Sequence, residues 1–157
     1  MGREEFAQRV QAIRGRLYRT AYLYLGNESD ALEAVDEAVY QALRGLKKLR
    51  QPQYFETWLT RILINECKKE LRRRRRFISG EELWEAAAPE QLDDLPLKEA
   101  IRHLPEELRS VIVLRCFGGF TQAETALALE IPQGTVATRQ RRALELLRLE
   151  LGEEVEQ

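Results

Sequence analysis

The chain has 157 residues, which is enough for one ordinary domain or two small ones. With 44% hydrophobic and 32% charged residues it can bury a core, and no apolar run approaches the roughly 20 residues that cross a bilayer. Its N-terminal residues lack the apolar segment of a secretory signal. We therefore expect a cytoplasmic protein without direct membrane insertion. The formal net charge is only −1, but acidic and basic residues are concentrated in different segments of the chain.

The first two predicted helices are amphipathic, because apolar residues recur at steps of three and four. In the first helix these are Phe6, Val10, Ile13, Leu17, Ala21 and Tyr24. After "GNES", Ser29 is predicted to cap a second helix with Asp30 in its first turn. The outer face of that helix carries Glu33, Asp36, Glu37 and Tyr40. This face suits a protein partner of opposite charge, although ordinary solvation explains it equally well.

A third helix is predicted from about Phe55 into the basic stretch "KKELRRRRR". Between Arg61 and Arg76 there are eight bases and two acids. Aromatic rings, an amide and cations together suit an unpaired strand, since rings stack on exposed bases and guanidinium groups hold phosphates. The candidate residues are Tyr54, Trp58, Arg61, Asn65, Lys68, Arg72, Arg73, Arg74 and Arg75. A plain basic helix end, a nuclear address and an RNA clamp are the alternatives.

The stretch after the arginines reverses the sign of the charge. Between Glu81 and Asp94 there are six acids and no base, and the longer stretch 79–96 contains Gly80, Pro89 and Pro96 as helix breakers. We interpret residues 77–96 as a flexible acidic linker that carries one short helix near 83–88. It joins two predicted helical domains, 1–76 and 97–152, so the predicted fold class is all-α with two small bundles.

The second domain is predicted to contain a helix-turn-helix. A helix over 97–103 comes first, Pro105 then opens a helix at a first-turn position, and Gly118-Gly119 closes it. Thr121 and Glu124 form a capping box, and "EIPQG" is the turn before a last helix from Gly134. The residues expected to face inward are Ala123, Ala126, Leu127, Val136, Ala143, Leu147 and Leu151.

The opposite face of the last helix is the candidate duplex-DNA reader. At roughly 100° per residue it carries Thr135, Thr138, Arg139, Arg141 and Arg142, and no acid interrupts it. Hydroxyl and guanidinium groups read base edges and bind phosphates. A solvated helix face is the plainer alternative.

No pattern for enzymatic or cofactor chemistry is present in the sequence. Cys67 and Cys116 lack metal-ligand spacing and are interpreted as half-buried apolar residues, and His103 as a helix-end residue. No phosphate loop, serine elbow or zinc-protease pair occurs. We therefore predict no catalytic residues, no metal, no cofactor, no small-molecule substrate and no enzyme.

Together these segments resemble a bacterial RNA polymerase sigma factor of the extracytoplasmic-function type. "SDALEAVDEAVYQALRGLKKL" resembles the polymerase-binding helix of that family, and "YFETWLTRILINECKKELRRRRR" its minus-ten segment. "LPEELRSVIVLRCFGGFTQAETALALEIPQGTVATRQRRALELLR" resembles its minus-thirty-five domain. The departures are Asp36 for a usual Gln, Lys69 for a common Asp, and Ala137 for a frequent Lys or Arg.

The resemblance implies a non-catalytic subunit that binds core RNA polymerase and promoter DNA, and that is restrained by an anti-sigma factor. Asp36 and its neighbours Glu33, Glu37 and Tyr40 would face the polymerase clamp. The loop 49–54 and Asn65 would meet the unpaired strand, with 72–75 on phosphates, while Thr138, Arg141 and Arg142 would enter the upstream duplex.

Two rival interpretations are compatible with parts of the sequence. A stand-alone helix-turn-helix regulator would bind its operator without polymerase, and this would leave the basic third helix without a role. A helical adaptor that binds only proteins would show little nucleic-acid affinity, or affinity that depends little on salt.

Overall fold

The computed structural model describes residues 1–77 and 95–155. Every regular element in these two ranges is helical, and the chain divides into two compact units, Met1–Glu85 and Ala86–Gln157. The all-α, two-bundle prediction is therefore confirmed. The predicted linker, with its short helix at 83–88, lies outside the described residues except at its ends, and the domain boundaries at 76 and 97 stay predictions.

The first unit is a bundle of three helices that pack pairwise. They are α1 (Arg3–Leu25), α2 (Glu28–Arg44) and α3 (Phe55–Phe77). Two single turns of 3₁₀ helix, Leu46–Lys48 and Pro52–Tyr54, lie between α2 and α3. The apolar stripe predicted for α1 is buried along its whole length. These contacts hold α2 and α3 side by side, with one face of each helix exposed.

The turn between α1 and α2 differs from the prediction in its capping residue. Gly26 ends α1 in the left-handed region, φ 86°, and its N–H donates to the Tyr22 carbonyl at 2.8 Å. Asn27 then caps α2, because its side-chain oxygen accepts from the Asp30 N–H at 2.8 Å. Ser29 lies exposed inside the first turn, so its predicted capping role is wrong. The tight glycine turn lets α2 begin two residues earlier than predicted.

The second unit gathers three shorter helices on one long helix. These are α4 (Leu95–His103), α5 (Glu106–Ile112) and α6 (Gln122–Leu129), each in contact with α7 (Gln133–Val155). The first of them begins two residues before its predicted start. Pro105 is the N-cap of α5 rather than a residue of its first turn.

A π-helical turn, Val113–Phe117, extends α5 and was not predicted. Its end requires two glycines. A Cβ at Gly118 would lie 3.0 Å from the Leu114 carbonyl oxygen, and Gly119 adopts φ 73°. The predicted role of this glycine pair in closing the helix is confirmed.

The helix-turn-helix is present in α6 and α7. The capping box is confirmed: the Thr121 hydroxyl accepts from the Glu124 N–H at 3.0 Å, and the Glu124 carboxylate accepts from the Thr121 N–H at 2.9 Å. Glu130 then ends α6 in the left-handed region, φ 61°. This tight turn brings the first residues of α7 directly after α6.

The predicted inner face of α6 is wrong, whereas that of α7 is largely confirmed. Thr125 and Ala128 are buried, while Ala123 and Leu127 are exposed and Ala126 is half-buried. The reason is that α6 has only eight residues, and contact with α7 selects a face that its short apolar pattern does not define. In α7 the residues Val136, Ala143 and Leu147 are buried, and Leu151 is half-buried.

Candidate nucleic-acid interface

One face of α3 collects most of the residues predicted to meet an unpaired strand. Trp58, Arg61, Asn65, Lys68 and Arg72 recur at steps of three and four, so they follow one line along the helix. Asn65 and Arg72 are exposed, and the other three are half-exposed. The opposite side of α3 buries Leu59, Leu63 and Cys67 against α1 and α2. The bundle thus presents a continuous polar and basic stripe.

Two aromatic rings lie at the start of this stripe. Tyr54 ends the 3₁₀ turn before α3 and is 48% exposed. Trp58 is half-exposed and packs at a tilt against Phe55, with ring centroids 6.2 Å apart. The exposed Tyr54 ring, next to the Trp58 ring that Phe55 holds in place, can stack on unpaired bases.

Some of the cations on α3 are paired within the helix. Arg73 binds Glu70 through two hydrogen bonds of 3.0 and 2.7 Å, and Lys69 lies 3.3 Å from Glu66. Both pairs are exposed on their basic side, so solvent screens them. A phosphate would therefore compete with Glu70 for Arg73, whereas Arg72 is directly exposed.

Arg74 is buried, which contradicts its predicted place among the exposed cations. Its side chain is 4% exposed and donates to the Leu25 carbonyl at 2.8 Å. It also pairs with Asp30 and lies 3.4 Å from Glu70. The helix period puts Arg74 on the same side as Leu63 and Cys67, a signal that could have separated it from its neighbours.

The Asp30 carboxyl has an altered acidity in this contact. Partial burial by itself raises the pKa of Asp30, but hydrogen bonds from Arg74 and Asn27 outweigh this effect and leave the pKa lowered. The Asp30 carboxylate thus stays charged and ties the end of α3 to the start of α2. Arg75 lies in α3, but its side chain is outside the described part of the chain.

The acidic outer face of α2 is exposed as predicted. Glu33, Asp36 and Glu37 are exposed, and Tyr40 is 54% exposed. Asp36 accepts a hydrogen bond of 2.6 Å from Arg14 of α1. The guanidinium of Arg44 lies 5.6 Å from the centre of the Tyr40 ring. This face therefore combines carboxylates with a large exposed ring.

A groove between α2 and α3 continues this acidic face. Its volume is about 410 Å³, and its lining includes five carboxylates and two cations. These are Asp30, Glu33, Glu37, Glu66, Glu70, Lys69 and Arg73. The acidic face of α2 and the basic stripe of α3 are thus different surfaces of the same bundle.

The exposed face of α7 contains the residues predicted to read duplex DNA. Thr138, Arg141 and Arg142 are exposed, while Thr135 and Arg139 are half-exposed. Arg142 lies 3.4 Å from Glu145, one turn further along the helix. The face begins at the N-terminal end of α7, which is the end that a helix-turn-helix inserts into the major groove. Ala137, where the resemblance implies a cation, is half-buried.

Arg115 holds this helix in place, a role that the sequence pattern did not predict. It lies in the π-helical turn and donates to the Gln140 side chain at 3.0 Å and to the Phe120 carbonyl at 2.6 Å. Gln140 lies between two candidate DNA-binding residues in sequence but points toward the bundle. The position of Gln140 near the apolar side of α7 is the sequence signal that could have indicated this inward role.

The two cysteines and the histidine have different environments in the structure. Cys67 is fully buried and Cys116 is exposed, so neither is half-buried as predicted. Burial raises the pKa of the Cys67 thiol. His103 ends α4, as predicted, and its Nδ1 lies 2.9 Å from Glu150 of α7.

Among the residues that the structure describes, no group of acids, cysteines and histidine could hold a metal ion. None of the helices over 1–77 and 95–155 could span a membrane.

These two units define a class of protein: paired helical bundles, one with a basic stripe beside an acidic face, the other with a helix-turn-helix. Family models agree with that division. The model for sigma-70 region 2 matches residues 9–77, and the model for sigma-70 region 4 matches residues 94–147.

Curated proteins extend the match over most of the chain. The RNA polymerase sigma factor SigV of Bacillus subtilis is 32% identical over 87% of this chain and 85% of its own length. The ECF RNA polymerase sigma factor SigM of Mycobacterium tuberculosis is 30% identical over 90% of this chain and 74% of its own length. The protein belongs to the sigma-70 family, in its extracytoplasmic-function (ECF) group. It is a transcription initiation factor that directs initiation at promoters.

Two solved structures share the fold. The sigma factor RpoE of Bartonella quintana, in complex with the anti-sigma factor NepR, has a TM-score of 0.83 at 24% identity, covering 95% of this chain and 98% of that one. CnrH, in complex with the cytosolic domain of CnrY, has a TM-score of 0.77 at 23% identity, covering 97% and 90%. Because both units match known relatives, a stand-alone regulator and a protein-only adaptor are not favoured.

Proposed function

We propose that this sigma factor uses three separate surfaces during initiation. The acidic face of α2 binds core RNA polymerase, the exposed face of α7 binds the upstream promoter duplex, and the stripe on α3 holds the opened strand. The chain acts in the cytoplasm and has no catalytic activity of its own. The observation that carries the proposal is that both units expose a basic face, of which only the face on α3 includes aromatic rings.

The proposed duplex contact rests on the geometry of α7. Thr138, Arg141 and Arg142 lie on one exposed side of the second helix of a helix-turn-helix. Arginine can bind guanine edges through two hydrogen bonds, and both arginine and threonine can bind phosphates. Thr135 and Arg139 flank this group. The five side chains suit a short segment of the major groove.

The proposed single-strand contact rests on the stripe of α3. Tyr54 and Trp58 supply rings, Asn65 supplies an amide for a base edge, and Lys68 and Arg72 supply charge. Arg61 lies on the same line, and we keep Arg73 as a phosphate ligand that must first exchange its contact with Glu70. Arg75 stays in the proposed set from sequence alone. Arg74 is left out because it is buried.

The proposed polymerase contact uses Glu33, Asp36, Glu37 and Tyr40. Carboxylates on this side of the bundle would repel DNA phosphates, so a basic protein surface is the fitting partner. Tyr40 offers a large ring beside the charges, the kind of residue that anchors interfaces. An anti-sigma factor is a further proposed partner, because one solved neighbour is a sigma factor in complex with the anti-sigma factor NepR.

Run-off transcription with purified bacterial core polymerase tests the proposal. The full chain should direct initiation at a subset of a promoter library, and core enzyme alone should not. A variant with Arg141 and Arg142 both changed to Ala is the control for upstream recognition, and it should lose the selection. If the chain fails to bind core polymerase, or if the complex initiates nowhere, the proposal is wrong.

A further inference from the structure

One arginine of α1 holds the loop that precedes α3. The Arg9 Nη1 donates to the Pro52 carbonyl at 2.6 Å, and the Arg9 guanidinium lies 5.7 Å from the centre of the Phe55 ring. Glu5, one turn earlier on α1, pairs with the same guanidinium at 3.1 Å. Arg9 therefore touches the backbone of the loop and the first side chain of α3 at once.

Two further contacts fix the same junction. The Phe6 and Phe55 rings meet edge to face, with centroids 5.7 Å apart. Arg16, about two turns further along α1, lies 3.1 Å from Glu56. The start of α3 is therefore attached to α1 by an aromatic pair and by two arginines.

We infer that Arg9 is a positioning residue for the loop that captures the unpaired strand. The inference rests on the proposed function, in which the loop 49–54 meets opened DNA. Pro52 begins the 3₁₀ turn, and its carbonyl is held by Arg9, so Tyr54 is presented from a turn that is already ordered. A preorganised loop binds more tightly because less conformational freedom is lost on binding.

The contact requires a guanidinium rather than a positive charge alone. One planar group donates to the Pro52 carbonyl, faces the Phe55 ring and pairs with Glu5. A lysine ammonium is a compact charge and cannot make these three contacts in the same geometry. Lysine at this position should therefore preserve the charge but not the loop.

The test uses the full chain assembled with core polymerase. Its DNA probes derive from a promoter chosen in the run-off experiment: a fork with an unpaired minus-ten strand, and a duplex with only the upstream element. Arg9→Ala and Arg9→Lys should each weaken binding to the fork about fivefold, the effect of losing one partly exposed charged hydrogen bond. Binding to the upstream duplex should change less than twofold. Glu5→Gln is the matched control, because it removes the charge paired with Arg9 but leaves the guanidinium contacts with Pro52 and Phe55, and it should bind the fork like the wild type.

The outcomes separate positioning from other roles. A selective loss on the fork in both Arg9 variants supports the inference. Full activity of Arg9→Lys would show that charge suffices and would overturn it. An equal loss on both probes, together with a lower melting temperature, would also overturn it, since that result indicates general destabilisation. If the wild-type complex itself cannot bind the fork, the proposed function fails first, and that result is distinguishable from a failure confined to the variants.

Discussion

Five consecutive arginines lie in the last turns of α3, and those whose side chains the structure describes differ in exposure and in hydrogen-bond partners. Arg72 is exposed, Arg73 is exposed but bound to Glu70, and Arg74 is buried against Leu25 and Asp30. The cause is the helical period, which turns every third or fourth residue toward the bundle. The run is therefore partly a DNA-binding surface and partly a structural tie between α3 and the α1–α2 turn.

Removing the buried arginine should destabilise the first unit far more than removing its neighbour. Arg74→Met leaves Asp30 without its main partner, so we expect a loss of about 3 kcal/mol, typical of breaking a buried ion pair. Arg72→Met, on the same helix but exposed, should cost less than about 0.5 kcal/mol. Hydrogen exchange of the slowest amides of α1–α3 measures both changes. Similar losses in the two variants would contradict the structural assignment.

Low pH should weaken the ion pair between Asp30 and Arg74. The lowered pKa of Asp30 means that its carboxylate contributes stability above its unfolded pKa of about 3.8, and this contribution is lost as the pH falls through the lower folded value. The stability difference between the wild type and Asp30→Asn should accordingly be constant near neutral pH and shrink below about pH 4. Thermal unfolding between pH 2 and pH 7 tests this. A difference that does not change with pH would contradict it.

At the scale of elements, a few local contacts in the second unit fix the orientation of α7. Arg115, in a π-helical turn, fixes the Gln140 side chain and the Phe120 carbonyl, so it joins α7 to the segment before α6. The capping box and the left-handed Glu130 fix the two ends of α6. These local devices orient the exposed face of α7 outward from the bundle.

Substitutions on that face should affect duplex binding and its salt dependence together. Arg141→Ala should weaken binding of the polymerase complex to the upstream duplex about tenfold, and reduce the slope of log affinity against log salt by about 1 if the side chain binds a phosphate. Arg148→Ala, exposed two turns further along α7, is the control and should have a smaller effect. Anisotropy titrations at several salt concentrations measure both quantities. Because Arg148 lies on the same side of α7 two turns later, equal effects of the two changes would argue against a contact localised to the N-terminal part of the helix.

At the scale of the whole molecule, opposite charges occupy different surfaces, so a net charge of −1 is compatible with binding DNA. Carboxylates collect on α2 and in its groove with α3, while the exposed cations proposed to bind DNA lie on α3 and α7. Other exposed cations lie on α1, at the end of α2 and in the segment between α2 and α3. This separation allows one chain to meet a basic protein surface and a nucleic acid together.

Reversing one charge on α2 should therefore separate polymerase binding from DNA binding. Asp36→Lys should weaken association with core polymerase about tenfold, because it introduces a like charge against a basic partner and also repels Arg14. Glu4→Lys, an exposed acid in the first turn of α1, controls for net charge and should change the affinity less than twofold. Competition binding to core polymerase measures the difference. Equal losses would indicate a nonspecific charge effect.

Much of this protein could be predicted from its sequence because the relevant signals are local. Apolar residues at helical spacing defined α1, α2, α3 and α7, and the Thr121–Glu124 pair defined the start of α6. The segment motifs also indicated the family. Local patterns failed where they were short or ambiguous, as with the eight-residue α6 and the choice between Asn27 and Ser29 as a cap.

The sequence by itself determined that two helical bundles form and that each carries a basic face, since helix period and charge order are properties of neighbouring residues. Only the tertiary structure decided what each arginine does. Arg9 meets the Pro52 carbonyl 43 positions away, and Arg74 meets the Leu25 carbonyl 49 positions away. A guanidinium group is bound by whatever acceptor the packed helices bring to it, and those acceptors are distant in the chain.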